Sequence, residues 1–180
     1  MNFNFKFNST KLTKHINFFY KININNNFIN LNKIYFFLTH VLKKKGKILF
    51  ILPNEKQYFD INNKFIVILK KYKQWYILPK AKSKNKVRPG LLTNLIKLNL
   101  IKSKKYPDVI FIFNTNKSFT ENIIKESLLL KIPIVSITNF DFKNKFITYS
   151  LILKPKLIFF YYIFVANLLR SQIKTYNKKK

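Results

Sequence analysis

No cysteine occurs anywhere in the 180 residues. Disulfides, thiolate zinc sites, cysteine-held iron–sulfur clusters and thiol nucleophiles are excluded together. Carboxylates are scarce too, with 6 Asp+Glu against 35 Lys+Arg. The acids are Glu55, Asp60, Asp108, Glu121, Glu126 and Asp141. A metal-dependent hydrolase needs carboxylates gathered around its ion. Here Asp60 and Asp141 stand isolated, and Glu121 and Glu126 are five residues apart, a spacing that shares a helix face poorly. Glycine occurs only as Gly46 and Gly90. A nucleotide-binding turn needs glycines where backbone approaches phosphate. After the apolar run Ile48–Leu52 the chain reads PNEKQYF, and after Asp108–Phe113 it reads NTNKSFT, both without glycine. No Walker lysine motif and no GxSxG elbow is present. The expectation is a protein without cofactor, metal or catalysis. The two histidines, His15 and His40, are read as packing or surface residues.

What the chain has is positive charge. The formal net charge is +29, carried almost wholly by lysine, with arginine only at Arg88 and Arg170. Such a chain repels itself unless a polyanion neutralises it, and nucleic acid or an anionic membrane surface would do so. It is nonetheless no disordered polycation, because 48% of its residues are hydrophobic and 17% aromatic. A chain of this length buries roughly 70% of its unfolded surface, which supports one domain. Lys, Asn, Ile, Phe and Tyr dominate, the residues with AT-rich codons. That bias suggests an organelle genome.

Three regions are expected: a basic arm at 1–26, an α/β domain at 27–173, and a basic tail at 174–180. Phe28 to Leu31 reads as a short strand, with Asn32 as an N-cap. Ile34, Phe37, Leu38, Val41 and Leu42 then follow at helical spacing. Lys43, Lys44 and Lys45 fill that helix's last turn, and Gly46 takes the stop position. Ile48–Leu52 is a continuous apolar run, as in a strand covered on both faces. Tyr58, Ile61, Phe65, Ile68, Leu69 and Tyr72 mark a second helix, and Gln74–Leu78 a second strand. A basic loop, Lys80 to Arg88, closes on Pro89-Gly90, and Leu91 to Ile101 is expected to be a short helix. Asp108–Phe113 is a strand, with Asp108 as a turn or capping residue. A helix follows with Glu121 in its first turn. Pro133–Thr138 and Phe146–Leu151 are extended, and a final helix covers about Lys156 to Ser171. Apolar strands alternating with helices predict a parallel sheet flanked by helices on both sides. The apolar stretch Leu157–Leu169 is shorter than the ~20 residues a membrane span needs.

Lysines meet phosphate as point charges and give affinity without sequence readout. The candidate contacts are Lys43, Lys44 and Lys45 at a helix end, and Lys80, Lys82, Lys84, Lys86 and Arg88 in the loop. A peripheral membrane protein using lysines and the 157–169 segment remains the competing reading.

Several segments, in order, are familiar. The run KKKGKILFIL (Lys43–Leu52) looks like a helix end, glycine and central strand, and Asn30-Leu31-Asn32-Lys33 resembles the turn opening that helix. Val87-Arg88-Pro89-Gly90-Leu91-Leu92-Thr93-Asn94, the Pro107-Asp108 strand, and Glu126 through Ile132-Pro133 to Asn139 complete the series. In this the chain resembles the ribosomal protein S-two family of the bacterial-type small subunit, over about residues 28–170. Both glycines fall at family positions. The family's long helical hairpin is missing, since only Leu95 to Tyr106 separate the signature from the next strand. Its tryptophan in the signature and its N-terminal glycine-histidine motif are also absent. The resemblance implies a flavodoxin-like or Rossmann-like sheet used as a non-catalytic scaffold. The partners it implies are small-subunit rRNA and neighbouring ribosomal proteins, without stable membrane insertion. It makes Arg88, Gly90, Thr93 and Asn94 the shapers of a loop near rRNA or a neighbour. Composition and the lost hairpin together suggest a mitochondrial ribosome, with a plastid ribosome as the alternative.

Overall fold

The computed structural model describes residues 24–78, 90, 92, 106–113, 115, 117–138, 147–152 and 157–177. Helix α1 (Ile24–Lys43) leads into strand β1 (Ile48–Ile51), a 3-10 turn (Lys56–Tyr58) and helix α2 (Phe59–Lys71). Strands β2 (Trp75–Ile77) and β3 (Val109–Phe113) follow, then helix α3 (Lys117–Leu129), strands β4 (Ile134–Thr138) and β5 (Tyr149–Ile152), and helix α4 (Ile158–Asn177). All strand pairs are parallel, in the order β2-β1-β3-β4-β5. This is an α/β, flavodoxin-like arrangement, with the strand order reversing between β1 and β3.

Strands β1, β3 and β4 are buried along their whole length; β1 and β3 accordingly read as unbroken apolar runs, while β4 also buries Ser136 and Thr138. Alternate residues serve two cores. One face, with Phe50, Phe111, Phe113 and Ile137, packs under α1, α2 and α4. The other, with Leu49, Ile51, Ile110 and Ile112, packs against Ile123 and Ile124 of α3 and against Leu92. The first core is aromatic at its centre. Phe113 stacks on Tyr162 at 4.4 Å between ring centroids, and Phe65 meets Tyr162 edge-on at 5.0 Å.

Several expectations are corrected. Phe28–Leu31 is not a strand but part of α1, and Asn32 lies inside that helix rather than capping it. The periodicity Leu31, Ile34, Leu38 extends the buried stripe backwards, while Phe28 and Ile29 face outward and are exposed. Gly46 is not the left-handed residue that ends α1; Lys45 is, with φ 60°. Gly46 is required for a different reason. A Cβ there would stand 2.6 Å from Val41 Cγ1 and 2.9 Å from the Val41 carbonyl oxygen. Helix α3 begins at Lys117, so Glu121 falls beyond its first turn. Helix α4 continues to Asn177, past the expected start of the tail at Lys174. The arm expected at 1–26 overlaps α1, which begins at Ile24. Its residues 1–23, the loop 80–88, the Leu91–Ile101 helix apart from Leu92, and the missing-hairpin segment Leu95–Lys105 lie outside the described residues.

Candidate nucleic-acid interface

In a parallel sheet every crossover helix ends beside the start of the next strand. Here α1, α2 and α3 end just before β1, β2 and β4. All three therefore finish at the same edge of the sheet. Helix C-termini carry partial negative charge and favour lysine in the last turn by roughly 0.3–1 kcal/mol. The sequence supplies Lys43, Lys44 and Lys45 at the end of α1, Lys70, Lys71 and Lys73 at the end of α2, and Lys131 just after α3, all exposed. The expected contacts Lys43, Lys44 and Lys45 thus sit at the centre of a wider basic edge.

The helix ends share one geometry. Lys45 N–H donates to the Leu42 carbonyl at 3.0 Å, and Gly46 N–H to the Val41 carbonyl at 2.9 Å. Lys73 and Gln74 donate to Lys70 and Leu69 at 3.0 and 2.9 Å, and Lys131 and Ile132 to Leu128 and Ser127 at 3.1 and 2.9 Å. Each is a Schellman motif, in which the left-handed residue is usually glycine. In this chain it is lysine three times, with φ of 60°, 53° and 55°. That conformation costs a residue with a side chain about 1–2 kcal/mol.

The edge is fastened by side chains that satisfy the strand starts. Asp108 Oδ2 accepts from Lys47 N–H at 2.7 Å, while Asp108 N–H donates to the Lys47 carbonyl at 2.8 Å. This is the capping role the sequence suggested for Asp108. Gln74 Oε1 accepts from Ile48 N–H at 2.8 Å, and Lys47 Nζ donates to the Lys73 carbonyl at 2.8 Å. The one carboxylate among these turn residues is therefore engaged by backbone.

Gly90 is placed by a second device. Its φ is 90°, a left-handed value that favours glycine. Its N–H donates to Glu126 Oε1 at 2.6 Å, and the N–H of fully buried Leu92 donates to Glu126 Oε2 at 2.5 Å. Both oxygens of this nearly buried carboxylate are bonded to one stretch of backbone, 34 to 36 residues away in sequence. Ionised acceptors make the stronger hydrogen bonds. Sequence reasoning dismissed Glu126 because it has no acidic neighbour on its helix face. Its partner is main chain, which no side-chain pattern reveals. The expected contacts Lys80, Lys82, Lys84, Lys86, Arg88, Thr93 and Asn94 lie outside the described residues.

At the opposite edge, flavodoxin-like sheets hold ligands beyond the strand ends at the reversal point. On the β1 side the chain leaving the strand is tied down by side chains of α2 and α4. Asn62, buried in α2, donates through Nδ2 to the Pro53 carbonyl at 2.6 Å and accepts from Tyr162 Oη at 2.6 Å. Burial, and secondarily the neighbouring Tyr58, raises the Tyr162 hydroxyl above its ordinary pKa, so it remains a proton donor. A cleft of about 240 Å³ there is lined by Asn54, Glu55, Lys56, Phe59, Asn62, Asn63 and Leu78. Among the described residues no group of three or more His, Cys, Asp or Glu is arranged to hold a metal. No helix among them is long and apolar enough to cross a membrane. No family model matches the chain, and no curated protein matches it.

Proposed function

We propose that this protein is a structural component of an organellar small ribosomal subunit, of the mitochondrion first and of the plastid as the alternative. It binds rRNA and neighbouring ribosomal proteins as a scaffold in translation. The observation that carries the reading is a +29 chain with Lys43, Lys44, Lys45, Lys70, Lys71, Lys73 and Lys131 exposed along one edge of a parallel sheet. Phosphate backbone is the polyanion such an edge fits. Beyond β1, Pro53, Asn62 and Tyr162 are tied together by hydrogen bonds, which suits a sheet used as framework. The order of motifs resembling the ribosomal S-two family supplies the ribosomal half of the proposal. Exposed apolar side chains on α1 and α4, among them Phe36, Phe160 and Ile163, suit cover by a neighbouring protein.

Sedimentation of an organelle lysate tests this. The protein is expected to travel with small subunits and to leave them only at high salt. Recovery chiefly with membranes, released by alkaline carbonate and not by ribosome dissociation, refutes it in favour of a peripheral membrane protein.

A further inference from the structure

The three left-handed lysines call for a reason. Glycine fits that backbone without strain, and Asn tolerates it, yet lysine stands at Lys45, Lys73 and Lys131. A strained conformation kept at several equivalent places points to use of the side chain. At α1 and α2 charge compensation does not need these positions, because Lys43, Lys70 and Lys71 already occupy the last turns; α3 has no basic residue in its last turn, so Lys131 also faces that helix end.

What the left-handed position adds is direction. The repeated hydrogen-bond pattern orients each Cα–Cβ bond alike relative to its helix. Each helix then hands over to a strand of one parallel sheet, which starts two or three residues after the left-handed lysine. Lys73 precedes β2, Lys45 precedes β1, and Lys131 precedes β4. Neighbouring strands lie about 4.8 Å apart, so this row crosses three strand intervals, about 14 Å. Helices α1 and α2 cover one face of the sheet and α3 the other, so the row straddles the edge. Asp108, at the start of β3 in the middle of the row, is tied to Lys47 backbone.

We infer that the strand-start edge is the nucleic-acid docking surface, with a phosphodiester backbone lying across it and contacted by Lys45, Lys73 and Lys131. The inference rests on the nucleic-acid reading above and names its surface. It carries an unusual signature: the residues that bind are the residues that strain the fold. Replacing them by glycine removes charge and strain together, so affinity and stability move apart.

The test uses the full chain and a labelled mixed-sequence RNA, with affinity measured across a salt series. The variants are K45G/K73G/K131G and K45N/K73N/K131N, against the charge-matched control K33Q/K56Q/K64Q. Three lost phosphate contacts lower the salt slope by about 2–2.7. The glycine variant is expected to show that loss, with a melting temperature equal to or above that of the parent. The asparagine variant, which keeps a side chain in the left-handed conformation, is expected to show the same loss of slope. The control should change the slope by less than half as much. Edge variants that bind RNA like the control overturn the surface while leaving nucleic-acid binding intact. Edge variants that lose affinity for vesicles of anionic phospholipid but not for RNA overturn it in favour of a membrane face. A parent chain that binds no RNA at all overturns the function and the surface together.

Discussion

Glu126 offers the sharpest test of how the fold holds its candidate site. Substitution to glutamine keeps the shape and one acceptor oxygen but turns an NH2 group toward a backbone N–H. The Glu126 carboxylate accepts from Gly90 and from Leu92, and Leu92 is wholly buried. A hydrogen bond to an ionised group contributes ~1.5–3 kcal/mol, and a buried donor left unpaired costs ~1–3 kcal/mol. Losing one of the two bonds should destabilise by about 2 kcal/mol, and E126A, which loses both, by about 4 kcal/mol. For a chain of this size 1 kcal/mol moves the melting temperature by about 2–4 °C, so E126Q should melt about 4–8 °C lower. Urea unfolding should show a lower midpoint at unchanged slope. Amide exchange adds a local reading, since the Leu92 N–H should lose protection in both variants. A loss below about 0.5 kcal/mol, with Leu92 exchange unchanged, would refute the reasoning, because that is the range of an inconsequential surface change.

Other substitutions probe separate parts of the account. G46A forces a Cβ against the Val41 carbonyl oxygen and toward Asp108 Oδ2, 3.3 Å away, and should cost about 1–3 kcal/mol by thermal melting. Y162F removes the donor to Asn62 and should cost about 1–3 kcal/mol in urea unfolding. Tyr162 also makes stability fall in alkali. Above pH ~10 the unfolded chain gives up the phenolic proton that the folded chain retains, so its contribution is full below that pH and lost as pH rises. The decline in melting temperature above pH ~10 should be shallower in Y162F than in the parent. Ser136 is buried and its hydroxyl has no hydrogen-bond partner among the described residues, so S136A should be neutral or stabilising, and a loss above about 1 kcal/mol would show a bond that these residues do not supply.

The legible parts of this fold were those set by local pattern. Ile48–Ile51 and Val109–Phe113 announce themselves because strands buried on both faces are apolar throughout, and Ile134–Thr138 does so through its three β-branched apolar residues despite buried Ser136 and Thr138. Phe28 and Ile29 misled because they are apolar yet exposed, so they mark the outside of α1 rather than a strand. Past Ser171 the C-terminal helix keeps Ile173 and Tyr176 at the helical spacing of Leu169, a signal hidden among Gln172, Lys174, Thr175 and Asn177. At the site, Lys43–Lys45 were visible as a charge run. Lys73 and Lys131 were not, being single lysines whose importance comes from the parallel sheet that gathers helix ends at one edge. Naming the residue after each expected helix would have found them. Asn62 and Glu126 stayed hidden because each acts on backbone or side chains 9 to 100 residues distant.

A density map of the organelle's purified small subunit would test the central claim most directly. The account predicts this chain in the particle with the β2-β1-β3-β4 strand starts against rRNA and the side chains of Lys45, Lys73 and Lys131 within reach of phosphate oxygens. A particle lacking the chain, or one holding it with that edge turned to solvent, would contradict it.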